Sequence, residues 1–178
     1  MTLRDDKDSD AEERRLVAYA PRIYGLLVRM VGNRDTAEDL TQETLLRAFR
    51  AFETYRPEGK FRAWLFRIAR NAARDWLRRR PLEPALGLDA DWPERAPASP
   101  RPQSRPEDRL LGGERASKVE AALRRLPAPD REVLLLRYYG QLAFNDIAKV
   151  TGEPLGTVLA RAHRALKKMA ELVPKEES

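Results

Sequence analysis

Apolar residues return at three- and four-residue steps over most of the chain, the period of a helix with one buried face, and nowhere alternate over a useful strand length. Leu16, Ala20, Ile23, Leu27 and Met30 form the first such series. Pro21 lies inside it, and an interior proline removes a helical hydrogen bond, so a kink or a restart is predicted there. Gly32-Asn33 stops this helix, and Asp35 with Glu38 has the spacing of a capping box that starts the next. The second helix turns Ala37, Leu40, Leu45, Ala48, Phe49 and Phe52 inward and ends before Pro57-Glu58-Gly59. A third opens at Phe61 and buries Trp64, Leu65, Ile68, Ala72 and Trp76. Together they predict a compact helical domain over residues 12–80, behind a tail at 1–11.

At residue 81 the pattern stops. Seven of the chain's 13 prolines fall in 81–106, with no apolar period, so a flexible linker is predicted. Its 26 residues span up to roughly 80 Å at ~3.1 Å per residue, enough for two domains to grip distant sites on one partner. Helical spacing resumes with Val119, Leu123 and Leu126, then Val133, Leu134, Leu136 and Arg137. A short unit at 143–148 precedes a turn at Thr151-Gly152-Glu153-Pro154, and a last helix runs from about Leu155 to Leu172. These make a second domain over 107–174. The fold class expected is all-α: two small helical domains on a Pro-rich linker, the second holding a helix-turn-helix.

Composition narrows the chemistry. The 178 residues contain no cysteine and one histidine, which excludes disulfide scaffolds, thiolate zinc sites, cysteine nucleophiles and His-rich metal centres. No glycine-rich phosphate loop is present, no run approaches the ~18 apolar residues of a membrane span, and the start lacks the order of a signal peptide. A cytoplasmic protein with no metal, no cofactor and no membrane insertion is expected. The net charge of +6 suits an anionic partner or merely a basic solvated surface. Its placement says more. Residues 61–80 carry seven arginines against Asp75, a local net of +6, whereas residues 1–13 carry six acids against Arg4 and Lys7, a local net of −4.

Two segments carry candidate chemistry. Residues 61–80 interleave Phe61, Trp64, Phe66 and Trp76 with the arginines. Basic groups can track a phosphate backbone, and an aromatic face can stack an exposed base for ~1–3 kcal/mol. Trp64 and Trp76 fall on the apolar stripe and belong to the core; Phe66 falls off it and is the stacking candidate. Arg62, Arg67, Arg70, Arg74, Arg78 and Arg79 are candidate phosphate contacts. Asn71 can donate to and accept from a base edge, or be an ordinary solvated helix residue. In the second segment, Ile147 and Val158 are spaced to pack two helices across a turn at Gly152. Gly156 and Thr157 open the last helix, and Arg161, Arg164, Lys167 and Lys168 follow with no acidic neighbour until Glu171. A helix of that kind fits the DNA major groove. An ordinary helical hairpin with a basic face fits the same residues, and His163 is weak evidence for either.

The runs Asp39-Leu40-Thr41-Gln42-Glu43, Leu46-Arg47-Ala48-Phe49 and Phe61 to Asn71 resemble the first conserved domain of bacterial sigma factors, best the extracytoplasmic-function group. Leu126-Pro127 through Leu135-Arg137 and Ile147 through Arg164 resemble that group's promoter-binding helix-turn-helix. The resemblance covers about residues 12–80 and 107–172. It implies that Asp39, Gln42, Glu43 and Arg47 dock on the clamp helices of core RNA polymerase. Residues 61–80 would bind and help melt the minus-ten element of promoter DNA, with Asn71 where the family's base-reading loop lies. The linker would thread the polymerase channel, and the last helix would read the minus-thirty-five element. An anti-sigma protein is the further partner implied.

Two positions depart from the family pattern. Leu159 and Ala160 stand where a basic or polar residue and often a serine are usual, and neither can donate a hydrogen bond. Weaker recognition of the upstream element, or altered recognition through methyl contacts to thymine, is expected. Glu153 is acidic where a phosphate would approach and has no evident role in the sequence. Other functions compete: a sigma-like mimic that captures an anti-sigma protein, which the seven arginines oppose, and a simple helix-turn-helix repressor, which leaves residues 39–47 unexplained. An enzyme would need the acidic face of Glu38, Asp39 and Glu43 to hold a metal, but carboxylates so spaced with no histidine nearby usually form a solvated or partner-binding face. A non-catalytic binding protein is expected.

Overall fold

The computed structural model describes residues 13–52, 55, 60–79 and 116–173, and every regular element among them is helical. The acidic tail and the Pro-rich linker lie outside the described residues. The chain divides into two compact units, residues 1–92 and 93–178.

In the first unit, residues 13–17 are helical (α1), followed by α2 (Ala20–Val31), α3 (Arg34–Ala51) and α4 (Phe61–Arg79). Pro21 marks a restart, not a kink: it sits in the first turn of α2, where its missing N–H has no helical acceptor to lose. The start of α3 differs from the capping box expected at Asp35. Asn33 is the cap, its side-chain oxygen accepting the Thr36 N–H at 2.8 Å. Asp35 instead lies in the first turn, where its charge complements the positive end of the helix.

Helices α2, α3 and α4 each pack against the other two. Ile23, Leu26, Leu27 and Val28 of α2, Ala37, Leu40 and Ala48 of α3 and Leu65, Phe66, Ala69 and Ala73 of α4 form the apolar core of the unit. Two threonines are buried there at no polar cost, because Thr41 Oγ1 donates to Ala37 O at 2.6 Å and Thr44 Oγ1 to Leu40 O at 2.7 Å. Since α4 touches two helices, its buried face is wider than one stripe and takes in Phe66, which has no exposed surface. Trp64 and Trp76, expected in the core, are only half-buried. Phe49, expected inward, is 42% exposed on the outer side of α3.

A ring cluster closes one end of the unit. Tyr19, Phe52, Tyr55, Phe61 and Trp64 lie within 4.6–6.0 Å of one another, centroid to centroid, along the connected pairs. The Arg15 guanidinium caps the Phe61 ring at 3.8 Å. This cluster ties the start of α2 to the end of α3 and the start of α4.

The second unit comprises α5 (116–124), α6 (Ala128–Tyr138), α7 (Phe144–Thr151) and α8 (Leu155–Leu172). Helix α8 packs on both α6 and α7 through Val133, Leu136, Ile147, Val150, Val158, Ala162 and Ala165. Arg137, which falls in the apolar series of α6, is exposed: its guanidinium donates to Leu142 O at 2.7 Å and lies 5.4 Å from the Phe144 ring centroid. It thus pins the loop that delivers α7. The turn to α8 forms at Gly152, whose φ of +73° is strained for a side chain, and its N–H returns to Ala148 O at 2.8 Å.

Candidate nucleic-acid interface

The turn and the two helices around it form a helix-turn-helix whose crossing is fixed by Ile147 and Val158, both fully buried. Pro154 precedes α8, and no side chain caps the helix start. Gly156 is exposed, with nothing within 4 Å of the position a Cβ would take, so a ligand can approach the first amides closely. Gly156, Ala160, His163 and Lys167 are all exposed at four-, three- and four-residue steps, which makes them one outward stripe along α8. Leu159, 44% exposed, borders it.

The arginines expected beside this stripe are engaged within the unit. Arg161 Nη1 donates to Glu153 Oε2, an acidic neighbour the linear sequence did not suggest. Arg164 forms a two-pronged bond to the buried carboxylate of Asp130 on α6, Nε to Oδ2 at 3.2 Å and Nη2 to Oδ1 at 3.0 Å. That hydrogen bond, with the charge behind it, raises the Arg164 pKa above its ordinary value. Lys168 pairs with Glu171 at 3.2 Å on the exposed side. Thr157 is half-buried beside the helix start.

On α4, Arg67, Asn71, Arg74 and Arg78 are exposed at four-, three- and four-residue steps and share one face. Arg78 Nη2 also reaches Asp75 Oδ1 at 3.0 Å. Arg79 is exposed at the end of the helix. Arg62 is exposed too, but lies about 150° round the helix from the centre of that face. Three expectations need correction here. Phe66 is in the core, packed where α4 meets its neighbours, so its ring has no face to offer a base. Arg70 is buried at 6% exposure, on the inner side of the stripe, and does not present its guanidinium to solvent. Asn71 is not in a loop; α4 runs unbroken through it.

The outer face of α3 carries Asp39, Gln42, Glu43 and Arg47, with Glu43 and Arg47 joined by a 2.5 Å ion pair. Leu46 at 56% exposure and Phe49 share that face, and sequence periodicity passed over both as surface anchors. The available signal was an apolar pair on the polar side of an amphipathic helix. No group of three or more His, Asp or Glu side chains that could hold a metal ion occurs among the described residues. No helix among them is long and apolar enough to cross a membrane.

Comparison with known proteins bears on both units. The family model for Sigma-70 region 2 matches residues 16–81, and that for Sigma-70 region 4 matches residues 116–169. The ECF RNA polymerase sigma factor SigE of Mycolicibacterium smegmatis is 37% identical over 161 residues, covering 90% of this chain and 60% of that relative's length. The RNA polymerase sigma-H factor of Pseudomonas aeruginosa is 35% identical over 162 residues, covering 89% of this chain and 83% of its own. Among solved structures, the sigma factor RpoE of Bartonella quintana, in complex with the anti-sigma factor NepR, matches with a TM-score of 0.68 at 25% identity, covering 92% of this chain and 97% of that one. CnrH, in complex with the cytosolic domain of CnrY, matches with a TM-score of 0.59 at 25% identity over 93% of this chain and 89% of that one. Two region models in the right order and relatives aligned over about nine-tenths of this chain place it in the sigma-70 family of RNA polymerase sigma factors, which are transcription regulators, within its ECF group.

Proposed function

We propose that this chain acts in the cytoplasm as a promoter-specificity subunit with no active site of its own, binding core RNA polymerase and directing initiation. Residues 12–80 serve as the core-binding and minus-ten domain, 81–106 as the linker and 107–174 as the minus-thirty-five domain. The observation that carries the residue-level reading is the α4 face of Arg67, Asn71, Arg74 and Arg78, exposed on a helix whose opposite side already satisfies the core.

On this reading Arg67, Arg74 and Arg78 hold phosphates on either side of Asn71, whose amide reads a base taken out of the stack. Extrusion costs a few kcal/mol, which fitted contacts offset. Arg79 and Arg62 add charge at the helix ends. Helix α8 enters the major groove with Gly156, Ala160, His163 and Lys167 foremost and Thr157 and Lys168 flanking. Leu159 and Ala160 offer methyl groups in place of donors, which suits thymine. Asp39, Gln42, Glu43 and Arg47 form the polar rim of the polymerase contact, and Leu46 and Phe49 are its apolar anchors. A protein of the anti-sigma kind, such as the NepR bound to RpoE in one structural relative, is the expected regulator.

The test is binding of labelled full-length chain to sigma-free core polymerase, followed by strand opening. Leu46→Ala with Phe49→Ala should weaken core binding tenfold or more, the effect of losing ~1.4 kcal/mol or more at an anchor. Arg74→Gln with Arg78→Gln should leave core binding intact and reduce strand opening. Normal core binding by the α3 variant would overturn the docking assignment, and full opening by the α4 variant would overturn the DNA assignment.

A further inference from the structure

The turn ahead of α8 holds a feature that promoter reading does not require. Glu153 stands two residues before α8 and its carboxylate takes Arg161, two helical turns further on, by a side-chain ion pair. Both partners are largely covered, the Glu153 side chain at 26% exposure and Arg161 at 20%. The pair therefore lies in a less screened setting than an open surface pair.

Of the four cations on α8, Arg164 is held by Asp130 and Lys168 by Glu171, leaving Lys167 as the one with no ion-pair partner among the described residues. The Lys168–Glu171 pair is half-exposed on both sides and yields easily to a phosphate. The Arg161–Glu153 pair is more covered and less screened, so it yields less readily. A guanidinium neutralised from within displaces no counterion when DNA arrives. Glu153 also adds a negative charge two residues ahead of the uncapped start of α8, a position that disfavours a second anion there.

We infer that Glu153 is a specificity-determining residue of the second unit: it stands in for a DNA phosphate on Arg161 and so suppresses sequence-blind binding. The inference rests on the reading of α8 as the DNA-facing helix. Backbone contacts raise affinity for every sequence alike, whereas base-edge contacts discriminate. Withholding one backbone contact leaves a larger share of the decision to Leu159, Ala160, His163 and Lys167.

The experiment measures the affinity of the full-length chain for a random-sequence DNA duplex by fluorescence anisotropy at 50–200 mM salt. Glu153→Gln should steepen the slope of log affinity against log salt by about 0.9, one added phosphate contact, or about 3.5-fold extra loss across that range. Arg161→Gln alone should leave the slope at its original value, and adding Arg161→Gln to Glu153→Gln should restore it. A Glu153→Gln slope equal to that of the unaltered chain would overturn the inference. So would an Arg161→Gln slope shallower by one contact, since Arg161 would then already hold phosphate. Lys167→Gln with Lys168→Gln separates this failure from failure of the underlying reading. If that variant flattens the slope while Glu153→Gln does nothing, only the role of Glu153 falls. If neither changes it, α8 does not face DNA and both fall.

Discussion

Replacing Phe66 by alanine separates a core residue from a base-stacking one. The ring has no exposed surface and sits where α4 meets the rest of the first unit. Removing it forfeits ~1.5–3 kcal/mol of apolar transfer and leaves a cavity that close-packed alanines and leucines cannot fill, for a total of ~3–5 kcal/mol. A unit of this size has only about 5–15 kcal/mol in total. At about 4–8 °C per kcal/mol, its melting midpoint should fall by at least about 12 °C. Trp64 and Trp76 lie on the same helix, so tryptophan fluorescence during thermal or urea unfolding follows the unit directly. Phe66→Leu should keep most of the apolar fill, lose less stability and still support strand opening, which a leucine could not do in place of a stacking ring. The reasoning is refuted if Phe66→Ala melts at the original midpoint, or if Phe66→Leu loses strand opening while its stability is unchanged.

Asn71→Ala, at an exposed helix position, should shift stability by no more than about 0.5 kcal/mol and lower strand opening, measured by the reactivity of unpaired thymines. Leu159→Ala should leave non-specific affinity unchanged and reduce the preference for thymine in the upstream element; unchanged selection from a randomised duplex pool would sink the methyl-contact idea. Gly140→Ala should destabilise the second unit, because the added Cβ falls 2.6 Å from the Leu136 carbonyl oxygen and the backbone must shift to admit it. A chemical-unfolding midpoint at or above the original would show that the loop relaxes freely.

The helices were legible because each has one dominant apolar face and clear stop signals. The turn at Gly152 and the last helix at Leu155–Leu172 are the best cases, with a glycine and a proline on either side of Glu153 to mark them. Orientation around a helix was harder. A three-and-four spacing identifies a stripe of fixed width, but α4 packs on two partners, so Phe66 and Arg70 go inward although a single stripe leaves them out. The error at Phe49 is the converse, an apolar residue assigned to the core that stands on a surface. Long-range pairing was not legible at all. Arg164 and Asp130 are 34 positions apart, and Arg161 and Glu153 are joined across a turn whose bend decides whether they meet. The ring cluster of Tyr19, Phe52, Tyr55, Phe61 and Trp64 likewise depends on tertiary approach, although each ring is plain in the sequence.

The most direct measurement of the central claim is transcription by sigma-free core polymerase with the purified full-length chain, on genomic fragments beginning with the region upstream of its own gene. The account predicts transcripts from a defined start site that appear only when the chain is present and decline with Asn71→Ala. Polymerase that binds the chain yet starts at no defined site on any fragment, or starts equally well without it, would contradict the account.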